Sequence, residues 1–154
     1  MFEKIISMLE DKALASNSQR IKEIIQFRYI LEPEIAALAA ESIGDNDLVR
    51  IQTILDAQEK NLLENADDAK EDLRFHIALA RATKNEVIGE IFAVLYDILR
   101  ECRVPPLQNS QRKKTSLQGH LKIYRALKER DSESSRMAMR DHLNDVESLL
   151  YPPG

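Results

Sequence analysis

Three histidines and one aspartate are spaced so that a bundle of helices could bring them to a single point. The chain has only three histidines, His76, His120 and His142. Each falls on the apolar face of its own helical stretch. His76 lies with Leu73, Ile77 and Ala80; His120 with Leu117, Leu121, Tyr124 and Leu127; His142 with Met139, Val146 and Leu149. Asp72 stands one turn before His76, so the two side chains project together. A lone inward histidine is commonly a core residue bonded to a backbone carbonyl. Three on separate helices, beside an inward carboxylate that needs a cation or several donors, point instead to a metal site. Three neutral imidazoles and one carboxylate suit a divalent transition metal, zinc or nickel foremost, with manganese and iron as further candidates. Such a site keeps a coordination position for water or an anion. A di-iron carboxylate bundle is excluded, because no Glu sits three residues before a His, and His-Glu-x-x-His is absent.

Arg28 is the second unusual residue. It interrupts the stripe Ile21, Ile24, Leu31, Ile35, Leu38. Two readings stand side by side: an intrahelical ion pair with Glu32 four residues on, or a guanidinium aimed inward to grip a carboxylate through two parallel hydrogen bonds.

The elements that must position these residues are helices. The 154 residues are 44% apolar and 31% charged, with four glycines and five prolines, the balance of one globular domain with few turns. The apolar spacing follows the helical period throughout and no strand is expected. A short helix carries Phe2, Ile5, Ile6 and Leu9, and residues 15–18 read as a break. A long helix from about Gln19 to Ser42 contains Pro33, expected to kink or split it. Gly44 ends it and Asp45-Asn46 cap the next, whose narrower stripe is Leu48, Ile51, Leu55, Gln58, Leu62. Asp67 or Asp68 caps a helix ending near Thr83. Asn85 caps the most apolar segment, VIGEIFAVLYDIL, expected to run through the middle of the bundle. Pro105-Pro106 and a polar loop over 108–115 precede a helix from Ser116 to about Lys128. Asp131 or Ser132 caps a last helix reaching about Leu150. The result is an all-α antiparallel bundle of six to seven helices.

Bulk charge narrows the function. A net charge of −4 and a pI near 5.5 repel nucleic-acid phosphates. The basic run Arg112, Lys113, Lys114 reads as a solvated loop. A single cysteine, Cys102, precludes an internal disulfide. No apolar run reaches the length of a membrane span, and the segment MFEKIISMLEDK lacks a cleavage-site pattern, so a cytoplasmic location is expected.

The runs RYILEPEIAALAAE, DLRFHIALARATKNEVI and GHLKIYRALKERDSESSRMAMRDHL resemble the FadR C-terminal domain, or FCD. That domain is the effector-binding half of one branch of the GntR transcription regulators. The resemblance extends from about Gln19 to Leu150. It implies six or seven antiparallel helices around a central ligand cavity, a divalent metal held by Asp72, His76, His120 and His142, and an effector-binding arginine at Arg28. It further implies a small organic acid as effector and a homodimer. On this reading residues 1–18 are a short linker helix and break, and 19–151 are the ligand-binding domain. The N-terminal winged helix-turn-helix of an intact regulator is expected to be absent, so that DNA is reached only through that missing part. The alternative is a mononuclear metal-dependent hydrolase on a helical bundle. It is disfavoured because Glu71 and Asp141, which flank the ligands, are expected to face solvent, and no nucleophile constellation is present. A plain helical interaction module with satisfied core histidines is the third reading.

Overall fold

The computed structural model describes residues 2–13, 17–101 and 109–150. Seven helices follow one another: α1 (Phe2–Ala13), α2 (Asn17–Ser42), α3 (Asp45–Leu63), α4 (Ala69–Ala82), α5 (Glu86–Glu101), α6 (Ser110–Lys128) and α7 (Ser132–Leu150). No helix among the described residues is long and apolar enough to cross a membrane. The break expected at 15–18 lies partly outside the described residues; Asn17 and Ser18 already belong to α2. Pro33 sits inside α2 without ending it.

Alanine governs how closely the bundle packs. Ala36, Ala39 and Ala40 on α2 are fully or almost fully buried, and side chains this short let α2 lie against α7, α6 and α4. They join Ile51, Ile54 and Leu55 of α3, Phe75 and Leu79 of α4, Ile123 and Leu127 of α6, and Met139 and Leu143 of α7 in one core. Leu38, expected in this stripe, is exposed instead, because the alanines occupy the buried face. A second apolar cluster joins Ile24 and Ile35 of α2 to Ala80 of α4 and to Phe92, Leu95, Tyr96 and Ile98 of α5.

Two expectations need correction. Helix α5 does not run through the middle of the bundle. It lies against α4 and α1, with side chains that reach Ile24 and Ile35 of α2, and leaves Val87 and Ile91 exposed; the breadth of its apolar face reflects burial against several neighbours, not central position. The polar run before Ser116 is not all loop. Helix α6 starts at Ser110, where Asn109 Oδ1 accepts from the Arg112 amide at 2.8 Å. Lys113, read as solvated, is buried and donates to the Ala66 carbonyl at 2.6 Å.

The helix ends show how so few glycines suffice. Asn65, Lys84 and Arg130 follow α3, α4 and α6 with φ of 52°, 60° and 55°. Lysine and arginine carry a steric cost of about 1–2 kcal/mol in this region. Each side chain is tied down: Lys84 Nζ pairs with Asp47, and Arg130 donates to the Ile43 carbonyl. Gly44 is the N-cap of α3, in extended backbone, and its amide donates to Asp47 Oδ2 at 2.9 Å. Asn85 accepts from the amides of Val87 and Ile88, and Asp131 from the amide of Ser134, so those two caps fall where expected.

Leu127→Ala removes a fully buried side chain. It is expected to cost about 3 kcal/mol, within roughly 2–5 kcal/mol for such truncations, as read from the midpoint of urea unfolding. Asp47 gives a pH dependence. Partial burial opposes its charge, but Lys84 and the Gly44 amide outweigh that and hold its carboxyl below the usual range. A depressed folded-state value means stability that is present above the unfolded pKa and lost as pH falls through the folded one. The stability difference between the protein and its Asp47→Asn variant should therefore shrink as unfolding is measured from pH 7 down toward pH 3; a constant difference would show that the charge of Asp47 contributes nothing.

Candidate metal centre

The three histidines meet. His76 of α4, His120 of α6 and His142 of α7 are buried, and one ring nitrogen from each lies within 4.8 Å of the others. Ring centroids are 5.0 Å apart for His76 and His120, 5.5 Å for His76 and His142, and 4.5 Å for His120 and His142. Phe75 stacks on His120 at 3.8 Å and Tyr96 on His76 at 5.3 Å, which fixes both ring planes.

The outward nitrogens of two rings are pinned by acceptors. His76 Nδ1 lies 2.7 Å from Glu32 Oε1. Arg28 and Tyr96 also donate to that carboxylate, both at 2.6 Å. Burial opposes the charge on Glu32, but Arg28 and His76 outweigh it and hold the carboxyl well below the usual range. Glu32 can therefore only accept, and His76 carries its proton on Nδ1. His120 Nδ1 lies 2.8 Å from Gln58 Oε1. The amide orientation of Gln58 follows from its other end, where Nε2 donates to Asp68 Oδ2 at 2.9 Å. His120 too is thus protonated on Nδ1.

When both rings are neutral, their Nε2 atoms present lone pairs, and these face each other 3.2 Å apart. Two acceptors at that distance repel unless something positive sits between them. In a tetrahedral set with about 2.0–2.1 Å to each imidazole, neighbouring nitrogens stand roughly 3.4 Å apart. The observed spacing fits such a ligand pair. Burial, then neighbouring His142, pushes His120 well below its ordinary pKa; burial, then His76, lowers His142 to about 3. Neutral imidazole is the form that binds metal. His142 Nδ1 is buried without a hydrogen-bond partner. It rests against Gly119, where an added Cβ would fall 2.2 Å from it, so α6 and α7 approach this closely only because residue 119 has no side chain.

Asp72 stands at the edge of the cluster. Its Oδ1 is 3.4 Å from His120 Nε2 and accepts from Ser116 Oγ at 2.8 Å. It is not among the groups that close to 4.8 Å. Burial opposes its ionisation, but Arg112 and then the histidines keep its carboxyl well below the usual range. Arg28 forms the intrahelical pair with Glu32, Nε to Oε2 at 2.6 Å, and its Nη2 turns inward to His76 Nε2 at 3.3 Å. Five helices supply the ligand candidates and their supports: α2, α3, α4, α6 and α7, with Tyr96 added from α5.

The spacing argument missed Glu32 as a histidine partner, Tyr96, Gly119 and Arg112. Gln58 was visible only as a polar residue on an apolar stripe. Gly119 carried a signal, since glycine inside a helix costs about 1 kcal/mol relative to alanine and sits there for a reason. Glu71 pairs with Arg74, and Asp141 is exposed. Asp141 thus faces solvent as expected, whereas the Glu71 side chain, 15% exposed, does not.

The arrangement defines a helical bundle with an inward-facing histidine centre. The chain belongs to the FCD domain family, whose description matches residues 23–145. It is 33% identical over 153 residues to the HTH-type transcriptional regulator LutR of Bacillus subtilis, covering 94% of this chain and 68% of that protein. It is 32% identical to the HTH-type transcriptional repressor NanR of Cronobacter sakazakii, covering 92% and 56%. It is 30% identical to the Uxu operon transcriptional regulator of Escherichia coli, covering 83% and 52%. The chain thus spans between about half and two thirds of these relatives. Among solved structures, a Streptococcus agalactiae GntR superposes with a TM-score of 0.75 at 23% identity, over 86% of this chain and 60% of that one. That likeness shows the shared all-α fold.

Gln58→Leu removes the acceptor that fixes the His120 tautomer. It is expected to weaken zinc binding about 10–100-fold, the usual effect of losing a residue that orients a ligand, as measured by competition with a chromogenic chelator. Unchanged affinity would show that His120 needs no such orientation.

Proposed function

We propose that this domain is the effector-sensing part of a transcription regulator, that it holds a divalent transition metal on Asp72, His76, His120 and His142, and that it docks a small carboxylate beside Arg28. The observation that carries this reading is the approach of His76 Nε2 and His120 Nε2 to 3.2 Å in a buried site, with each Nδ1 held by an outer acceptor. A cation bound there supplies a Lewis-acidic docking point for a carboxylate oxygen.

The chain's own residues do the rest. Glu32 and Gln58 hold His76 and His120 with their lone pairs inward. Arg28 donates weakly to His76 Nε2, a place it must leave when that nitrogen takes a metal. Its anchor to Glu32 keeps the guanidinium at the site, where the freed N–H groups meet an anion. An acid held between the histidines and Arg28 would link α2 to α4, α6 and α7. Ligand shifts the bundle between conformations only by its differential affinity for them. In a homodimeric regulator that shift would alter the separation of two DNA-binding heads and hence operator affinity. The relatives named as HTH-type transcriptional regulators support this role. Catalysis is disfavoured, since Glu32 is held by three donors and no free general base stands at the cluster among the described residues.

Metal content and melting temperature, measured on the protein and on His120→Ala, test the reading. Near-stoichiometric zinc, nickel, manganese or iron is expected in the first and loss of both metal and stability in the second. A carboxylate effector at 100 times its Kd should then add about 2.7 kcal/mol, a rise of roughly 5–10 °C for a domain of this size. A protein that takes up no metal, and whose melting is indifferent to added metal, would refute the four-ligand assignment.

A further inference from the structure

Arg112 acts on the site as drawn so far only through its charge on Asp72. It lies in the first turn of α6, with a side chain 13% exposed. Its Nε is buried and has no hydrogen-bond partner. Its Nη2 stands 3.8 Å from Asp72 Oδ2, too long for a hydrogen bond. Nε and Nη2 form one edge of the guanidinium, the edge that receives a carboxylate through two parallel hydrogen bonds. Arg112 therefore keeps this donor edge, with its Nε buried and unpartnered, open beside Asp72. Leaving such a donor unmatched is costly, more so for a charged group.

The two buried arginines touch the cluster at different members. Arg28 reaches it from α2 at His76, Arg112 from α6 at Asp72. Their charges are balanced differently. Arg28 is neutralised by Glu32 at 2.6 Å. A divalent cation and Arg112 would face Asp72 alone, leaving a surplus of two positive charges in a largely buried site. A surplus of that size is unfavourable without anions to match it. A monocarboxylate supplies half of what is needed.

We propose that Arg112 is a specificity-determining residue that binds a second carboxylate of the effector, so that the domain prefers dicarboxylic acids over monocarboxylic acids of the same shape. The inference rests on the metal and carboxylate reading above and narrows its ligand class. One carboxylate goes to the cluster beside Arg28, the other to the Nε and Nη2 edge of Arg112.

Malate and 2-hydroxybutyrate test this, because they share a four-carbon 2-hydroxy acid skeleton and differ by a terminal carboxylate in place of a methyl group. Calorimetric titration of the zinc-loaded protein should give malate an affinity higher by on the order of tenfold, the value of one charged bidentate contact. Arg112→Gln should bring malate down to the level of 2-hydroxybutyrate, and Arg112→Lys, which keeps the charge and loses the fork, should recover only part of the preference. Zinc content is read in the same samples. Equal affinities for both acids in the unsubstituted protein would overturn the second carboxylate site while leaving the first in place. Loss of zinc from Arg112→Gln, or an equal fall in both affinities, would overturn it too, by making Arg112 a charge partner of Asp72. Failure of the zinc-loaded protein to bind either acid would overturn the second site together with the carboxylate reading beneath it.

Discussion

Two imidazoles with their protons turned outward impose the central constraint on this fold. Glu32 and Gln58 accept those protons, from α2 and α3, and so, when both rings are neutral, direct two lone pairs at one another inside the core. Either support alone would leave one ring free to turn over and relieve the repulsion by donating to its neighbour. Together they forbid it. Each support is in turn held: Glu32 by Arg28 and Tyr96, Gln58 by Asp68, which also accepts from Asn61 at 3.1 Å. The network reaches from α5 to the α3–α4 connection, so the arrangement of the helices and the tautomers of the histidines specify each other.

Packing enforces the same geometry by steric means. Phe75 lies flat on His120 with planes 12° apart, and Tyr96 lies over His76 while its hydroxyl reaches Glu32. His142 depends on a missing atom, since any side chain at residue 119 would occupy the place of its Nδ1. The alanines of α2 serve the whole bundle in the same way. Small residues here do not loosen the core; they bring backbones close enough for long polar side chains from several helices to meet.

The sequence made the seven helices legible, because helical apolar periodicity survives in all but the long α2, and Asn85 and Asp131 mark the starts of α5 and α7. It placed the three histidines inward for the same reason. What it could not give was order in space. Helix α5 has the broadest apolar face yet does not run through the middle of the bundle, since periodicity counts buried neighbours without locating them. The start of α6 was hidden because Arg112, Lys113 and Lys114 look like surface, and only the tertiary contacts of Lys113 with Ala66 and of Arg112 with Asp72 explain their burial. The ends of α4 and α6 were legible, near Thr83 and Lys128, but not the way they are made: Lys84 and Arg130, disfavoured at positive φ, are held there by partners remote in sequence, Asp47 and Ile43.

The distribution of charged groups bears on why a ligand would move the bundle. Asp72 and His76 share α4, but Arg28 and Glu32 come from α2 and Arg112 and His120 from α6. Of the contacts among these groups, those between helices α2 and α4 are short and fully formed, as with Glu32 and His76 at 2.7 Å. Between α4 and α6, Ser116 holds Asp72 at 2.8 Å, but the charged pairs are longer, with Asp72 3.4 Å from His120 and 3.8 Å from Arg112. Beside the Ser116 bond, those charged pairs are what leaves the α4–α6 seam room to close. An anion that shortened this seam would draw the N-terminal half of α6 toward α4 while α2 held its place. Helix α6 packs along α7, and α7 along α2, so the movement could not remain local. Long side chains meeting through charge, rather than flat apolar faces, make that seam the adjustable one, since their separation answers to the ions between them and not only to shape.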